Sequence, residues 1–239
     1  MSYGRIGVIG AMDSELAALI AALAQPAREI VQGLAFHTGR LGVREVVLVR
    51  CGIGKVSAAR CTQVLIDRFA PAAVINTGIA GGLGAGLAVG DIVVADGLVQ
   101  HDFDAAPIGF VRGCLCMGDP CTPTVFTPDE PLSALLARTA GDAAGAQRVH
   151  RGLIATGDQF ISGAAAKAAL RRAFPSAMAA EMEGGAVAQA ASMSGVPFAV
   201  VRAISDLADG TAAASFEQFE QHAADISAAA VLQALALLD

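Results

Sequence analysis

The sequence has 239 residues, 54% of them hydrophobic and 16% charged, with a net charge of −6 and no basic run. That length fits one large α/β domain over residues 1–239 better than two small ones, and it can bury a substantial core. The charge balance argues against nucleic-acid binding driven by phosphate neutralisation. Without an apolar run of 18 residues, no membrane span is expected.

The opening MSYGRIGVIGAM turns apolar too early, with too little basic charge, for a signal peptide. It reads as a first strand over residues 5–10. Further apolar runs predict strands over 45–51, 73–77, 91–95, 152–156, 177–182 and 198–204. Ala-rich segments between them predict helices over 14–24, 55–69, 131–144, 164–174, 185–194 and 216–238. Ser215, with Gln218 three residues later, has the pattern of a capping box at the start of the last helix. Near-continuous apolar strands alternating with helices imply a mostly parallel sheet, covered on both faces. Residues 100–128 form the longest stretch without a clear element, and loops of that size are commonly functional or mobile. Five cysteines, an odd number, and no leader point to a reducing cytosol.

Open α/β sheets bind ligands beyond the carboxyl ends of their strands. Glycines and carboxylates gather there: GAMDSEL, CGIGKV, TGIAGGLGAG, TGDQFISG, EMEGGA and SDLAD. Glycine lets backbone approach a ligand, and carboxylates bind hydroxyls or move protons. The spacing in GIAGGLGAG does not fit a dinucleotide fingerprint, and CGIGK lacks the P-loop spacing. A tight strand-to-helix turn explains most of these glycines. Cys114, Cys116 and Cys121 lack a CxxC pair, although His101 and Asp102 lie within reach in sequence. Neither a cofactor nor a metal is expected. No GxSxG elbow is present, so a serine hydrolase has no anchor. Glu181 and Glu183, in the apolar stretch AMAAEMEGGAVAQAA, would share a face if the strand continued through them. At least one of them should be satisfied by a partner or a ligand.

Taken in order, GAMDSE, CGIGKV, NTGIAGG, VGDIVVAD, HDFD, TGDQFI, EMEGGAVA, VRAISD and SFEQF resemble the nucleoside phosphorylase and hydrolase superfamily. Within it, the chain looks most like the 5′-methylthioadenosine/S-adenosylhomocysteine nucleosidase family. The resemblance implies a single three-layer α/β/α domain with a twisted mixed sheet, usually a homodimer, acting on a small nucleoside in methionine salvage and methyl-cycle recycling. By the same resemblance Glu15 is the base that activates water, Glu183 holds the ribose hydroxyls with the Met182 backbone nearby, and Asp206 is the acid serving N7 of adenine. Ser205 supports that aspartate, and Arg202 arranges water and carboxylates. Phe160 stacks on the base, and the Ile161 backbone reads its edge. Met12, Ile53 and Phe216 line the 5′ pocket, and Gly81 belongs to the substrate site. Two features depart from the family pattern. Ile79 stands where many relatives have a small polar residue. The Cys-rich loop 110–126 also differs, in a region that closes the other subunit's 5′ pocket in the family.

The chemistry suits these residue types. Breaking an N-glycosidic bond passes through an oxocarbenium-like state, and adenine leaves well when N7 is protonated. A carboxyl group donates there only if it keeps its proton near neutrality, and desolvation raises its pKa. Asp206, at the end of the apolar run FAVVRAIS, is placed for that shift. In the loop after the first strand, Met12, Asp13, Ser14 and Glu15 offer no cation. A carboxylate there would repel phosphate but serve as a base for water. The alternatives are a purine nucleoside phosphorylase, an aminodeoxyfutalosine hydrolase, and a non-enzymatic nucleoside sensor.

Overall fold

The computed structural model describes residues 4–116, 119–144 and 148–238. The chain runs β1 (Ile6–Gly10), α1 (Asp13–Ala21), β2 (Ala24–Val31), β3 (Leu34–Leu41), β4 (Arg44–Arg50), α2 (Lys55–Phe69), β5 (Ala73–Gly82) and β6 (Ile92–Gln100). After a 3₁₀ turn at Ala106–Ile108 come β7 (Val125–Phe126), α3 (Glu130–Ala144), β8 (Val149–Thr156), α4 (Ala164–Ala173), β9 (Ala177–Glu181), α5 (Gly184–Met193), β10 (Phe198–Asp206) and α6 (Ala212–Leu237).

Among the described residues all ten strands join one sheet in the order β10-β6-β8-β9-β5-β1-β4-β3-β2, with β7 on the edge of β6. Because β10 also pairs with β5, the strands β5, β10, β6, β8 and β9 close into a ring. β5 achieves this by its length. Its first half pairs with β1 and its last residues, Gly81 and Gly82, pair with β9. Alternation along each buried strand feeds two cores. Val47 and Val49 of β4 face one, and Val46 and Leu48 face the other. Side chains of α2 and α5 complete the first core, and those of α1, α3 and α6 the second. These are the three layers of the expected fold. Strands buried on both faces contribute near-continuous apolar runs, which is why they were legible in sequence.

Several expectations need correction. The sheet is not mostly parallel: β2, β3, β7 and β9 bring antiparallel pairings, as does β10 with β6. β2 and β3 were missed because β2, AQPAREIV, is almost wholly exposed and lacks an apolar face. Its turn at Gln32 and Gly33, with φ of 49° and 80°, has the two left-handed residues of a tight hairpin. β6 runs past Ala95 because the exposed Asp96 is bulged out of register and pairs with Arg151 at 2.6 Å. α6 starts at Ala212 after Thr211, so Ser215 lies inside the helix, its N–H bonded to the Thr211 carbonyl. The proposed capping box does not form. In loop 100–128, Cys114 is buried, whereas Cys116 and Cys121 are exposed thiols.

Candidate active site

A cleft opens at the carboxyl ends of β1, β4, β5, β8, β9 and β10, with about 640 Å3 of empty space including its mouth. The turn after β1 supplies Ala11 and Met12, and α1 supplies Glu15. Ile53 comes from the loop after β4, and Ile79, Ala80 and Gly81 from β5. Gln159, Phe160 and Ile161 follow β8, while Ala180 to Glu183 lie at the end of β9. Ser205 and Asp206 end β10, and Phe216 stands on α6. The cleft thus gathers every residue that the resemblance assigns to the substrate site except Arg202, which is buried behind Glu181. Among the described residues, none lining it is Lys, Arg or His, and no group of three or more His, Cys, Asp or Glu is arranged to hold a metal.

Glu15 is buried, and its carboxylate accepts three backbone N–H groups, from Ala11 at 2.5 Å, Met12 at 3.0 Å and Ile79 at 3.1 Å. It sits in the first turn of α1 and reaches back over the helix start, as a capping glutamate does. Burial pushes its pKa up, against the opposing pull of Arg202 and these N–H donors. Gly78 makes this position possible, since a Cβ there would collide with Glu15 Oε1. The Ile79 departure therefore leaves the backbone contact to Glu15 intact, because the N–H and not the side chain makes it.

The paired glutamates divide their work. β9 ends at Glu181, so the two do not share one strand face. Glu181 is buried. It pairs with Arg202 Nη2 at 2.5 Å, takes the Thr156 hydroxyl, and accepts the N–H groups of Glu183 at 3.1 Å and Gly184 at 2.6 Å. Burial alone would raise its pKa, but Arg202 and these donors hold it below the usual carboxylate range. Glu183, the residue before α5, has one such bond, from Gly54 N–H at 2.8 Å. Burial and the neighbouring Glu181 charge push Glu183 up to about 7. Arg202 is itself buried, and it also donates to Asn76 Oδ1 at 2.5 Å. Asn76 and Glu181 carried no sequence signal for this role beyond being polar in apolar strands.

Asp206 is 1% exposed. Oδ2 accepts the Ser205 hydroxyl at 2.9 Å, and Oδ1 accepts Ala208 N–H at 2.8 Å. Burial pushes its pKa up, outweighing these two donors. Two backbone features hold it there. Gly81 lies opposite Asp206 in β5 and has no Cβ to crowd Oδ1. Ala208 takes a left-handed φ of 51°, an uncommon conformation for alanine, which turns its N–H onto the carboxylate. At the mouth, Phe160 meets Phe216 edge-on with ring centres 5.7 Å apart.

Residues 5–236 match the Phosphorylase superfamily. A 5′-methylthioadenosine/S-adenosylhomocysteine nucleosidase from Actinobacillus succinogenes is 42% identical over 98% of this chain and 100% of that protein. The chain belongs to the methylthioadenosine/S-adenosylhomocysteine nucleosidase family of that superfamily. Among solved structures, an S-adenosylhomocysteine nucleosidase from Streptococcus pyogenes in complex with 5-methylthiotubericidin superimposes with a TM-score of 0.93 at 38% identity, over 100% of this chain and 99% of that one. A futalosine hydrolase mutant from Helicobacter pylori gives 0.87 at 32% identity, over 97% and 98% of the two chains.

Proposed function

We propose that this chain hydrolyses the N-glycosidic bond of 5′-methylthioadenosine and S-adenosylhomocysteine, releasing adenine and the 5-substituted ribose. The observation that carries the reading is a cleft with two buried carboxylates, Glu15 and Asp206, whose pKa values burial raises, and no lining cation. A phosphorylase must neutralise its phosphate, and Arg202, the buried cation behind the wall, is already committed to Glu181 and Asn76. Water is therefore the nucleophile.

The proposed steps follow from the donors and acceptors. Asp206, kept protonated by burial, gives its proton to N7 as the C1′–N9 bond lengthens, so adenine leaves neutral. Glu183 accepts the ribose hydroxyls, while Phe160 stacks on the base and the Ile161 backbone reads its edge. Glu15, in the ionised form that Arg202 and its three backbone N–H donors favour, takes a proton from the water that adds to C1′. Met12, Ile53 and Phe216 surround the 5′ group. Ile53 is 58% and Phe160 47% exposed. Apolar surface left open at a site mouth calls for cover, and a second copy of the chain supplies it in the proposed homodimer. Among the described residues no helix is long and apolar enough to cross a membrane, which fits the proposed cytoplasmic location.

The futalosine hydrolase neighbour supports a second reading, in which the same chemistry acts on a nucleoside with a larger 5′ group. The open mouth favours keeping it. The test is adenine release in phosphate-free buffer from methylthioadenosine, S-adenosylhomocysteine and aminodeoxyfutalosine in parallel. Free 5-substituted ribose is the expected co-product. A strict phosphate requirement with a ribose 1-phosphate product overturns the proposal.

A further inference from the structure

A polar cluster that the proposed mechanism does not use joins two loops of the cleft. Lys55 Nζ donates to Asp102 Oδ1 at 2.6 Å. Asp102 Oδ2 accepts the N–H of Asp158 at 2.9 Å. Asp158 Oδ1 in turn accepts the N–H of Lys55 at 2.8 Å. The three contacts close a cycle between segments 47, 56 and 103 residues apart in sequence. The Lys55 and Asp102 side chains are only 19% and 15% exposed, so this pair is screened less than a surface pair.

Each corner holds a piece of the cleft. Lys55 opens α2, whose preceding residue, Gly54, has no side chain with which to cap it. The first N–H groups of a helix need outside acceptors, and Asp158 provides one from another loop. Gly54, at φ 95°, points its own N–H at Glu183, and Ile53 beside it lines the mouth. Asp158 is followed directly by Gln159, Phe160 and Ile161, the wall assigned to the base. Asp102 joins the two loops while lying outside the cleft lining.

We infer that Asp102 is a positioning residue: with Lys55 and Asp158 it forms a clasp that fixes the ribose-side loop and the base-side loop relative to each other. The inference rests on the proposed nucleosidase reading for its kinetic consequence. Small displacements of binding groups cost large factors in rate. The reacting carboxylates are held elsewhere, Glu15 by the turn after β1 and by β5 and Asp206 by Ser205 and Ala208, so loss of the clasp acts on binding more than on turnover.

The experiment is Asp102→Asn. Asn keeps the volume but replaces one acceptor oxygen with a donor, so it cannot serve both Lys55 Nζ and Asp158 N–H. Well below the melting temperature, KM for methylthioadenosine should rise about tenfold, with inhibition by free adenine weakened in parallel and kcat within about threefold. Lys55→Met should move KM in the same direction, and the double variant should be little worse than Asp102→Asn alone, because the two act through one contact. If Asp102→Asn does not fold, Lys55→Met carries the test. Amide hydrogen exchange provides a readout without substrate. Residues 52–55 and 157–161 should exchange about tenfold faster together, because local opening of one loop releases the other. Unchanged KM and adenine inhibition, additive variants, or faster exchange in one loop alone overturns the clasp. A parent that releases no adenine overturns the proposed function instead, and the exchange pattern then decides the clasp by itself.

Discussion

Asp206→Asn separates acid catalysis from packing at the end of β10. The structure says what the substitution preserves. Asn can place its carbonyl oxygen at Oδ1, where Ala208 N–H at 2.8 Å still has an acceptor. Its amide then occupies the Oδ2 position beside Ser205 Oγ. The serine hydroxyl can turn to accept from that amide while donating to the Ala80 carbonyl, which it already meets at 3.4 Å. One hydrogen bond is exchanged for another, so the folded state loses at most about 1 kcal/mol. The catalytic loss is larger. An amide can hydrogen-bond N7 but cannot transfer a proton to it, and general acid catalysis is worth about 10²- to 10⁴-fold, or roughly 3–5 kcal/mol of barrier. The assay is steady-state adenine release from methylthioadenosine, with a melting curve on the same preparation. KM should change far less than kcat, because Glu183 and Phe160 still line the cleft. The pH profile adds a second check. Asp206 must be protonated, so parental kcat should fall as pH rises through its elevated pKa, and Asp206→Asn should lack that limb. A kcat within about threefold of the parent, under ~0.7 kcal/mol of barrier, would refute the reasoning.

Two further outcomes follow from the burial of the other carboxylates. In Gly78→Ala the new Cβ would meet Glu15 Oε1 far inside contact distance and Arg202 Nη1 at 3.3 Å; kcat should fall at least ~10²-fold through misplacement of the base, and steady-state kinetics showing parental turnover would contradict it. Glu183 is pushed up to about 7 from an ordinary 4.5, so between those values the folded protein holds a proton that the unfolded chain has lost. Its contribution is complete below pH 4.5 and is lost as pH rises through 7, up to about 3 kcal/mol in all. Glu183→Gln, which still accepts from Gly54, should flatten the fall in urea-unfolding stability from pH 5 to pH 7.5, and identical slopes for parent and variant would exclude this linkage.

The sequence by itself determined the elements that are buried on both faces or carry strong local signals. α2 appears over the predicted residues 55–69, and the apolar runs of β1, β4 and β10 lie within a residue or two of expectation, because two-sided burial demands an uninterrupted apolar run. The carboxylates of the cleft drew notice because charged groups in apolar surroundings need a partner or a ligand, whereas its apolar lining, Met12, Ile53, Phe160 and Phe216, was legible only through the family resemblance. Tertiary structure decided what depends on a neighbour distant in sequence. β2 is exposed, and its place comes from pairing with β3 rather than from its own pattern. The ring closes because β10 meets both β5 and β6. Most of all, sequence spacing could not divide Glu181 from Glu183. The two carboxylates differ in that one is matched by the guanidinium of Arg202 from another strand, and the other accepts a backbone N–H from Gly54 beside a like charge. Desolvation and Coulomb interaction act through space, so which carboxylate keeps its proton is settled only when the strands are assembled.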